Sequence, residues 1–245
     1  MNLVTYLFQA AEKLGRWQQP AILCGDRVMS YEQLFGMVKK CGRVMQSLGI
    51  STGDRVAIVA ADSPEWFVSF LGTIAVGAVA VPASTMSTAA ELHYVLKHSG
   101  AKAVVISSEQ IEKLQSVRDS LPQLENVLLV DGEMEEMLSF EQSLNSASDV
   151  TIEDVSDDSL AFILYTSGST GQPKGAMHLH RNLPYTVETC CKHVLQVEPD
   201  DRLFSSSRLF FAYGLGNSLS FPLGSGATAV LCNERPTPPV IAEVF

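Results

Sequence analysis

The chain of 245 residues is 46% hydrophobic and 18% charged, which is the composition of a globular protein and not of a disordered one. Its formal charge of −10 argues against a nucleic acid or an anionic membrane surface as partner, because both favour a basic patch. The five cysteines are odd in number and scattered, and the first residues lack the basic flank of a signal peptide, so we expect a cytoplasmic protein.

Helices and short apolar strands alternate along the first 130 residues. The predicted helices cover 2–15, 30–48, 64–77, 88–98 and 109–119. A hairpin at 21–29 precedes predicted strands at 56–60, 78–81, 102–106 and 126–130. The apolar stretch 67–83 contains two glycines, which favours a buried helix followed by a strand over a membrane span. This alternation is typical of a parallel, doubly wound sheet, so we predict an α/β fold with largely parallel sheets and flanking helices.

The second half of the chain resumes the pattern after an acidic connection. Residues 131–158 are rich in Glu, Ser and Asp, and predict a surface connection with one short helix. Further strands are predicted at 160–165, 176–180, 202–206 and 227–232, with helices at 182–194 and 214–222. We divide the chain into a first α/β subdomain, 1–158, and an incomplete segment, 159–245. Residues 236–245 begin a helix and stop within it, so we expect an amino-terminal fragment.

The most informative segment connects two of the predicted strands. It consists of Thr166, Ser167, Gly168, Ser169, Thr170 and Gly171, and Lys174 follows shortly after. Such a loop concentrates hydroxyl and backbone N–H donors, glycine lets the main chain approach a ligand, and consecutive N–H groups in a turn form a concave anion site. A lysine ammonium adds a positive charge that suits phosphate. The segment therefore predicts a polyphosphate site.

Other interpretations of this loop fit the sequence less well. A Ser/Gly linker does not usually follow a buried strand or end at Pro-Lys-Gly. A Walker nucleotide loop requires Gly-x-x-x-x-Gly-Lys-Ser/Thr and a following helix. Here Gly168 and Gly171 are too close together, Lys174 precedes Gly175, and the next residues alternate like a strand. A phosphotransferase or NTPase that uses the loop in another way stays open.

Residues 165–175, Tyr-Thr-Ser-Gly-Ser-Thr-Gly-Gln-Pro-Lys-Gly, resemble the phosphate-binding signature of the adenylate-forming superfamily. That superfamily includes acyl- and aryl-CoA synthetases, luciferases and the adenylation domains of peptide synthetases. Residues 208–217, Arg-Leu-Phe-Phe-Ala-Tyr-Gly-Leu-Gly-Asn, are similar to the benzoate–CoA ligase branch. Segments 62–67 and 77–82 also resemble the amino-terminal region of the superfamily. The resemblance thus covers most of the chain.

The resemblance implies a carboxylate–CoA ligase that forms an acyl-adenylate from ATP and then a thioester with coenzyme A. Benzoate or a related aryl acid is the expected substrate, and Mg²⁺ is expected on the phosphates. The resemblance assigns the ATP phosphates to 166–171 and Lys174. It also places the adenine- and metal-binding segment, the ribose-binding aspartate and the adenylation lysine beyond Phe245. We therefore expect neither a catalytic residue nor a metal ligand in this chain, and no activity from the chain alone.

The resemblance places the aryl acid against Ala212 and Tyr213, with Gly214 close by. Aromatic side chains beside glycines can form a flat slot for a ring, but the same pattern fits a buried helix start. A fatty acyl-CoA synthetase, a carrier-protein-loading adenylation domain and a non-catalytic nucleotide-binding module remain alternatives. A zinc site formed by His178, His180 and the segment 190–193 is not favoured, because no Cys-x-x-Cys spacing is present.

Overall fold

The computed structural model describes residues 1–166 and 172–244. Its helices are Leu3–Lys13 (α1), Tyr31–Ser47 (α2), Pro64–Ala75 (α3), Ala89–Ser99 (α4), Ile111–Gln115 (α5), Phe140–Ser146 (α6), Asn182–Thr186 (α7), Ala212–Leu215 (α8), Phe221–Ser225 (α9) and Pro238–Val244 (α10). Its strands are Pro20–Cys24 (β1), Arg27–Ser30 (β2), Arg55–Val59 (β3), Val79–Pro82 (β4), Ala103–Ile106 (β5), Asn126–Leu129 (β6), Leu138–Ser139 (β7), Leu160–Thr166 (β8), Lys174–Leu179 (β9), Arg202–Phe204 (β10) and Thr228–Leu231 (β11).

The larger sheet has seven strands in the order β7-β6-β5-β3-β4-β8-β9. Neighbouring strands are parallel except β8 and β9, which form an antiparallel pair at one edge. Strands β4 and β5 are buried along their whole length, as expected for parallel strands with helices on both faces. The predicted α/β fold with a largely parallel sheet is confirmed.

Alternate residues of the central strands point into two different cores. Val56 and Ile58 of β3 pack in a core that includes α1, α2 and α3. The intervening Ala57 and Val59 pack on the opposite face, beneath α4 and α5. This two-residue period is what a strand with both faces covered requires. Trp66, fully buried in α3, belongs to the first core.

A smaller sheet of four strands has the order β10-β11-β1-β2. Strands β1 and β2 form the predicted hairpin, and β11 pairs in parallel with both β1 and β10. The amino-terminal hairpin thus joins strands from the second half of the chain, while β8 and β9 extend the larger sheet. Strands of the predicted segments 1–158 and 159–245 are therefore interleaved, and the division at residue 158 stays a prediction.

Several predicted helices are interrupted in the structure. The helix expected at 109–119 is reduced to α5 between two 3₁₀ turns. The Ser116 hydroxyl donates to the Lys113 carbonyl (2.8 Å) and the Arg118 guanidinium donates to the Leu124 carbonyl. The Ser116 contact competes with the hydrogen bonds of a continuous helix, whereas the Leu124 carbonyl belongs to the connection that leads to β6. The helices expected at 182–194 and 214–222 continue as π-helical turns at Val187–Leu195 and Gly216–Ser220.

Among the described helices, none combines the length and the apolar character needed to cross a membrane. The apolar stretch 67–83 forms most of α3 and the following β4, as its glycines indicated.

Candidate functional site

The two described ends of the predicted phosphate loop lie opposite each other. In the antiparallel pair of β8 and β9, Thr166 is the partner of Lys174. Both residues are exposed, and the predicted phosphate-binding residues between them, Ser167, Gly168, Ser169, Thr170 and Gly171, lie outside the described residues. The pairing therefore brings the Thr166 hydroxyl at the end of β8 and the Lys174 ammonium at the start of β9 to the same end of the hairpin.

No ion pair links the Lys174 ammonium to a carboxylate among the residues that the structure describes. Its charge is thus available to an anionic ligand. The next residue, Gly175, faces Tyr165 across the ladder. A Cβ atom at Gly175 would lie 2.9 Å from the Ile163 Cγ2 atom, so glycine permits the close approach of the two strands that hold the loop.

Tyr165 anchors the end of β8 to helix α4. A hydrogen bond of 2.8 Å joins its hydroxyl to the His98 Nδ1 atom, and the two rings meet edge to face at 5.8 Å. The His98 ring in turn stacks on Tyr94. Burial raises the pKa of Tyr165 to about 12, so the phenol stays protonated at neutral pH. The residue before Thr166 is therefore held in place by side chains of a neighbouring helix.

An apolar cleft of about 510 Å³ opens beside this hairpin. Its walls include Ala83 after β4, Thr166 at the end of β8, and the rings of Phe210 and Phe211. Ligands of open α/β sheets bind outside the carboxyl ends of the strands, and this cleft lies at the carboxyl ends of β4 and β8. The arrangement places an apolar, partly aromatic space next to the predicted phosphate site.

A more polar cleft of about 810 Å³ shares the rings of Phe210 and Phe211 with the apolar one. Its polar walls include Ser107 after β5, Asp131 after β6, and Arg208. The two phenylalanines thus stand between two spaces. The sequence identified them as aromatic neighbours of the predicted acid site but did not assign them to it.

The predicted acid-binding residues lie at the start of α8. Ala212 and Tyr213 are exposed, the latter to 72%, and neither lines the two clefts just described. Gly214 is buried, and a Cβ atom there would overlap the carbonyl oxygens of Ser207 and Arg208. The structure thus places these three residues directly after Phe210 and Phe211 in the chain but outside the lining of both clefts, and their contact with an acid stays a prediction.

Asp62 is a buried acid whose role the sequence did not show. It follows β3, is 4% exposed, and accepts a hydrogen bond from the Leu209 backbone N–H (3.2 Å). The Arg208 Nη1 atom lies 3.8 Å from its carboxylate. Burial raises the pKa of Asp62 to about 6, although the Leu209 N–H and Arg208 oppose that shift. An aspartate at the carboxyl end of a buried strand was the only signal available.

The two histidines weighed as zinc ligands have other partners. His178 stacks on Phe162 with its ring centre 4.6 Å away, and the His180 Nδ1 atom accepts a hydrogen bond from the Leu3 N–H (2.9 Å). Burial lowers the pKa of His180 to about 4, so its ring stays neutral. Within 1–166 and 172–244, no group of three His, Cys, Asp or Glu residues could hold a metal ion.

Known proteins resemble this chain over nearly its whole length. A family model described as AMP-binding enzyme matches residues 8–245. The chain is 37% identical over 87% of its length to benzoate–CoA ligase of Thauera aromatica, and 34% identical over 91% to 4-hydroxybenzoate–CoA/benzoate–CoA ligase of Rhodopseudomonas palustris. It spans only 41% of the length of each of these curated relatives.

Solved structures agree with the sequence relatives. The crystal structure of an anthranilate CoA ligase in complex with anthranoyl-AMP superposes with a TM-score of 0.93 at 30% identity, covering 100% of this chain and 47% of that one. A benzoate CoA ligase from Burkholderia xenovorans superposes with a TM-score of 0.90 at 32% identity, covering 99% of this chain and 47% of that one. With a matching fold and a family model that fits almost its whole length, the chain belongs to the AMP-binding enzyme family.

Proposed function

We propose that this chain supplies the phosphate-binding and acid-binding walls of an ATP-dependent carboxylate–CoA ligase that acts on benzoate or a related aryl acid. The observation that carries the proposal is the juxtaposition of Thr166 and Lys174 with an apolar cleft lined by Phe210 and Phe211. A polyanion at the hairpin and a ring in the cleft would be neighbours. Two of the sequence relatives are a benzoate–CoA ligase and a 4-hydroxybenzoate–CoA/benzoate–CoA ligase, which supports this choice of acid.

The first half-reaction joins the acid to AMP. An oxygen of the carboxylate attacks the α-phosphorus of ATP, the bond from that phosphorus to the bridging oxygen breaks, and pyrophosphate leaves with the bond's electrons. The obstacle is charge, because an anion approaches a polyanion. Fixed donors reduce that obstacle. The roles of this chain are to hold the β- and γ-phosphates with 166–171 and Lys174, and to hold the ring of the acid near Ala212, Tyr213 and Gly214.

The second half-reaction consumes the acyl-adenylate. The coenzyme A thiol, as thiolate, attacks the acyl carbon, and AMP leaves as the thioester forms. Pyrophosphate has already departed, so Lys174 and the loop are needed mainly in the first step. The apolar walls of the cleft exclude water from the reactive anhydride.

Mg²⁺ would neutralise phosphate charge when bound with ATP. The described residues fit the phosphates better than the metal, because a hydroxyl and an ammonium stand at the loop and no acidic cluster does. The proposal therefore assigns phosphate oxygens to this chain, and metal and adenine contacts to other residues.

The decisive experiment identifies the products that form from ATP. The longer enzyme that carries this sequence is incubated with ATP, Mg²⁺, coenzyme A and a panel of benzoate, hydroxybenzoate, hexanoate and a long-chain acid. We expect acid-dependent release of AMP and pyrophosphate, with benzoate or hydroxybenzoate preferred. ADP as product would indicate a phosphotransferase, and preference for the long-chain acid would indicate a fatty acyl-CoA synthetase. The 245-residue chain assayed in parallel should turn over far below the usual enzyme range of about 1–10³ per second.

A further inference from the structure

One buried carboxylate and one arginine join three separate segments of the chain. Asp62 follows β3, and Arg208 belongs to the connection that follows β10. The Arg208 Nη1 atom donates to the Cys232 carbonyl (2.7 Å), and its Nη2 atom donates to the Glu234 carbonyl (2.6 Å). The guanidinium therefore links Asp62 of the first segment to the residues that follow β11.

The same pair determines the course of the chain toward the predicted acid site. Asp62 accepts the Leu209 N–H, and Leu209 is fully buried. The Arg208 carbonyl accepts the Phe211 N–H (3.0 Å), which closes the turn that carries Phe210 and Phe211. Gly214 then packs directly against the Ser207 and Arg208 carbonyls. These contacts hold residues in or next to the Phe210–Phe211 segment in the chain. None of them involves the hairpin of β8 and β9.

We propose that Asp62 and Arg208 are positioning residues that set the acid specificity of the enzyme, by fixing the segment from Leu209 to Gly214 against the two clefts. The inference rests on the proposed function and adds two residues that do not themselves contact the acid. A neutral side chain at 62 would leave the guanidinium without its carboxylate, and a lysine at 208 could not donate to two carbonyls in the planar geometry of arginine. Either change would let the Phe210–Phe211 turn move.

The test uses Asp62→Asn and Arg208→Lys in the longer enzyme. The assay is the exchange of pyrophosphate into ATP, measured once with benzoate and once with hexanoate as the acid. Asparagine has the shape of aspartate and can still accept the Leu209 N–H, so the change isolates the charge. Arg16→Lys is the matched control, because the Arg16 side chain is 18% exposed against 19% for Arg208, and it also pairs with an aspartate. The readouts are kcat, KM for benzoate, KM for ATP, and the ratio of kcat/KM for benzoate over hexanoate.

We expect both variants to raise the KM for benzoate by about tenfold or more, and to lower the benzoate-to-hexanoate ratio, while the KM for ATP changes by less than about twofold. Arg16→Lys should change none of these. Equal increases in both KM values, or a loss confined to kcat with an unchanged acid ranking, would overturn the inference. If wild type shows no exchange with any aryl acid, the proposed function fails instead.

A second measurement tests the positioning role without requiring turnover. Amide hydrogen exchange of the 245-residue chain should show faster exchange in peptides that cover 207–216 in Asp62→Asn than in wild type, with the peptide covering 174–179 unchanged. Unchanged exchange at 207–216, or equal acceleration in both peptides, would contradict a positioning role for the pair.

Discussion

Lys174 stands at the first position of β9, where its ammonium is exposed and faces the end of β8. In the longer enzyme, Lys174→Ala should slow the adenylation half-reaction and leave thioester formation from preformed benzoyl-adenylate nearly unchanged, because the phosphates that we assign to this lysine have left by then. A charge-assisted hydrogen bond contributes about 1.5–3 kcal/mol, so a ten- to hundredfold loss is expected. Single-turnover kinetics of each half-reaction measure the two effects separately.

Lys13 supplies the control for this lysine. It lies in the last turn of α1, is also exposed, and belongs to the end of that helix that packs beside Gly226. Lys13→Ala should leave both half-reactions at wild-type rates. Equal losses in both half-reactions of Lys174→Ala would show that the lysine acts on something other than the departing phosphates.

Gly214 lets the start of α8 pack against the backbone of Ser207 and Arg208 more closely than a side chain would permit. Its replacement by alanine would overlap the carbonyl oxygens of Ser207 and Arg208. We expect Gly214→Ala to lower the free energy of unfolding by at least the 1–3 kcal/mol typical of overpacking. Gly36→Ala is the comparison, because a Cβ atom at Gly36 in α2 meets no atom within 4 Å and should stabilise by about 0.5–1 kcal/mol. Urea unfolding measures both, and equal effects would refute the argument.

We expect Ala212 and Tyr213 to affect acid selection, because the proposed function places the ring of the acid near them, and both are exposed. Ala212→Leu should cut kcat/KM for benzoate by about ten- to hundredfold by adding bulk beside that ring, and Tyr213→Ala should favour aliphatic acids. Neither change should alter the unfolding midpoint much. The measurement is kcat/KM across the acid panel together with the KM for ATP. An unchanged acid ranking with a raised KM for ATP would assign the segment to the nucleotide.

The residues of the candidate site differ in how far the sequence could identify them. The phosphate loop was visible because its composition is unusual and contiguous, and its end residues do meet across a hairpin. Asp62 and Arg208 lie 146 positions apart, so no local pattern could show that they are partners. A buried ion pair is a tertiary feature, and sequence periodicity carries no record of it.

Helix α2 shows what local sequence determines well. Ser30 accepts the Gln33 N–H, and the Gln33 side chain accepts the Ser30 N–H, so the predicted helix start is a complete capping box. Ser30→Ala should therefore lower the free energy of unfolding by about 1 kcal/mol, within the usual range of 0.5–2 kcal/mol. Chemical denaturation of the chain measures this. Ser148→Ala removes the same hydroxyl at an exposed position without a cap, and a similar loss there would contradict the capping argument.

The other helices and strands differ in how well apolar periodicity predicted them. The strands β3 to β6 were predicted because both their faces are buried and their apolar runs are short. The helix expected at 109–119 is not continuous: α5 ends at Gln115, where the Ser116 hydroxyl donates to the Lys113 carbonyl. The π-helical turns after α7 and α8 have no signature in apolar periodicity, and the strand predicted at 176–180 begins earlier because Lys174 pairs with Thr166.

At the scale of the whole molecule, the sequence predicted the class of fold but not the partition of strands between the sheets. Strand β1 pairs with β11, with Ile22 beside Ala229, so the smaller sheet is built from the two ends of the chain. Short strands of similar composition do not specify their partners by themselves. Pairing β1 with β11 closes a loop of about 200 residues, and the entropy that this costs is offset by burial of the common core. The polar cleft arises from this partition, because its walls include residues that follow strands of the larger sheet, such as Ser107, and residues that follow β10 and β11 of the smaller sheet, such as Ser206 and Asn233.

The contact between Leu3 and His180, which follows β9, should make the stability of the whole fold depend on pH. His180 is buried, accepts the Leu3 N–H, and has its pKa lowered from 6.5 to about 4. Between these values the unfolded chain binds a proton that the folded chain does not, so stability is present above about pH 6.5 and is lost as the pH falls toward 4. The slope from this group cannot exceed about 1.4 kcal/mol per pH unit.

Asp62 acts in the opposite sense, because its pKa is raised from 3.8 to about 6 and stability from it declines as the pH rises through that interval. Comparing His180→Asn with wild type at each pH cancels the contribution of Asp62. Asparagine can still accept the Leu3 N–H, so the variant should lose little stability at pH 5 and more at pH 7. Urea unfolding between pH 4.5 and 7.5 measures the difference, and His193→Asn, which removes an exposed imidazole, is the control. A difference between wild type and His180→Asn that is constant with pH would show that the buried imidazole is not the group whose protonation opposes folding.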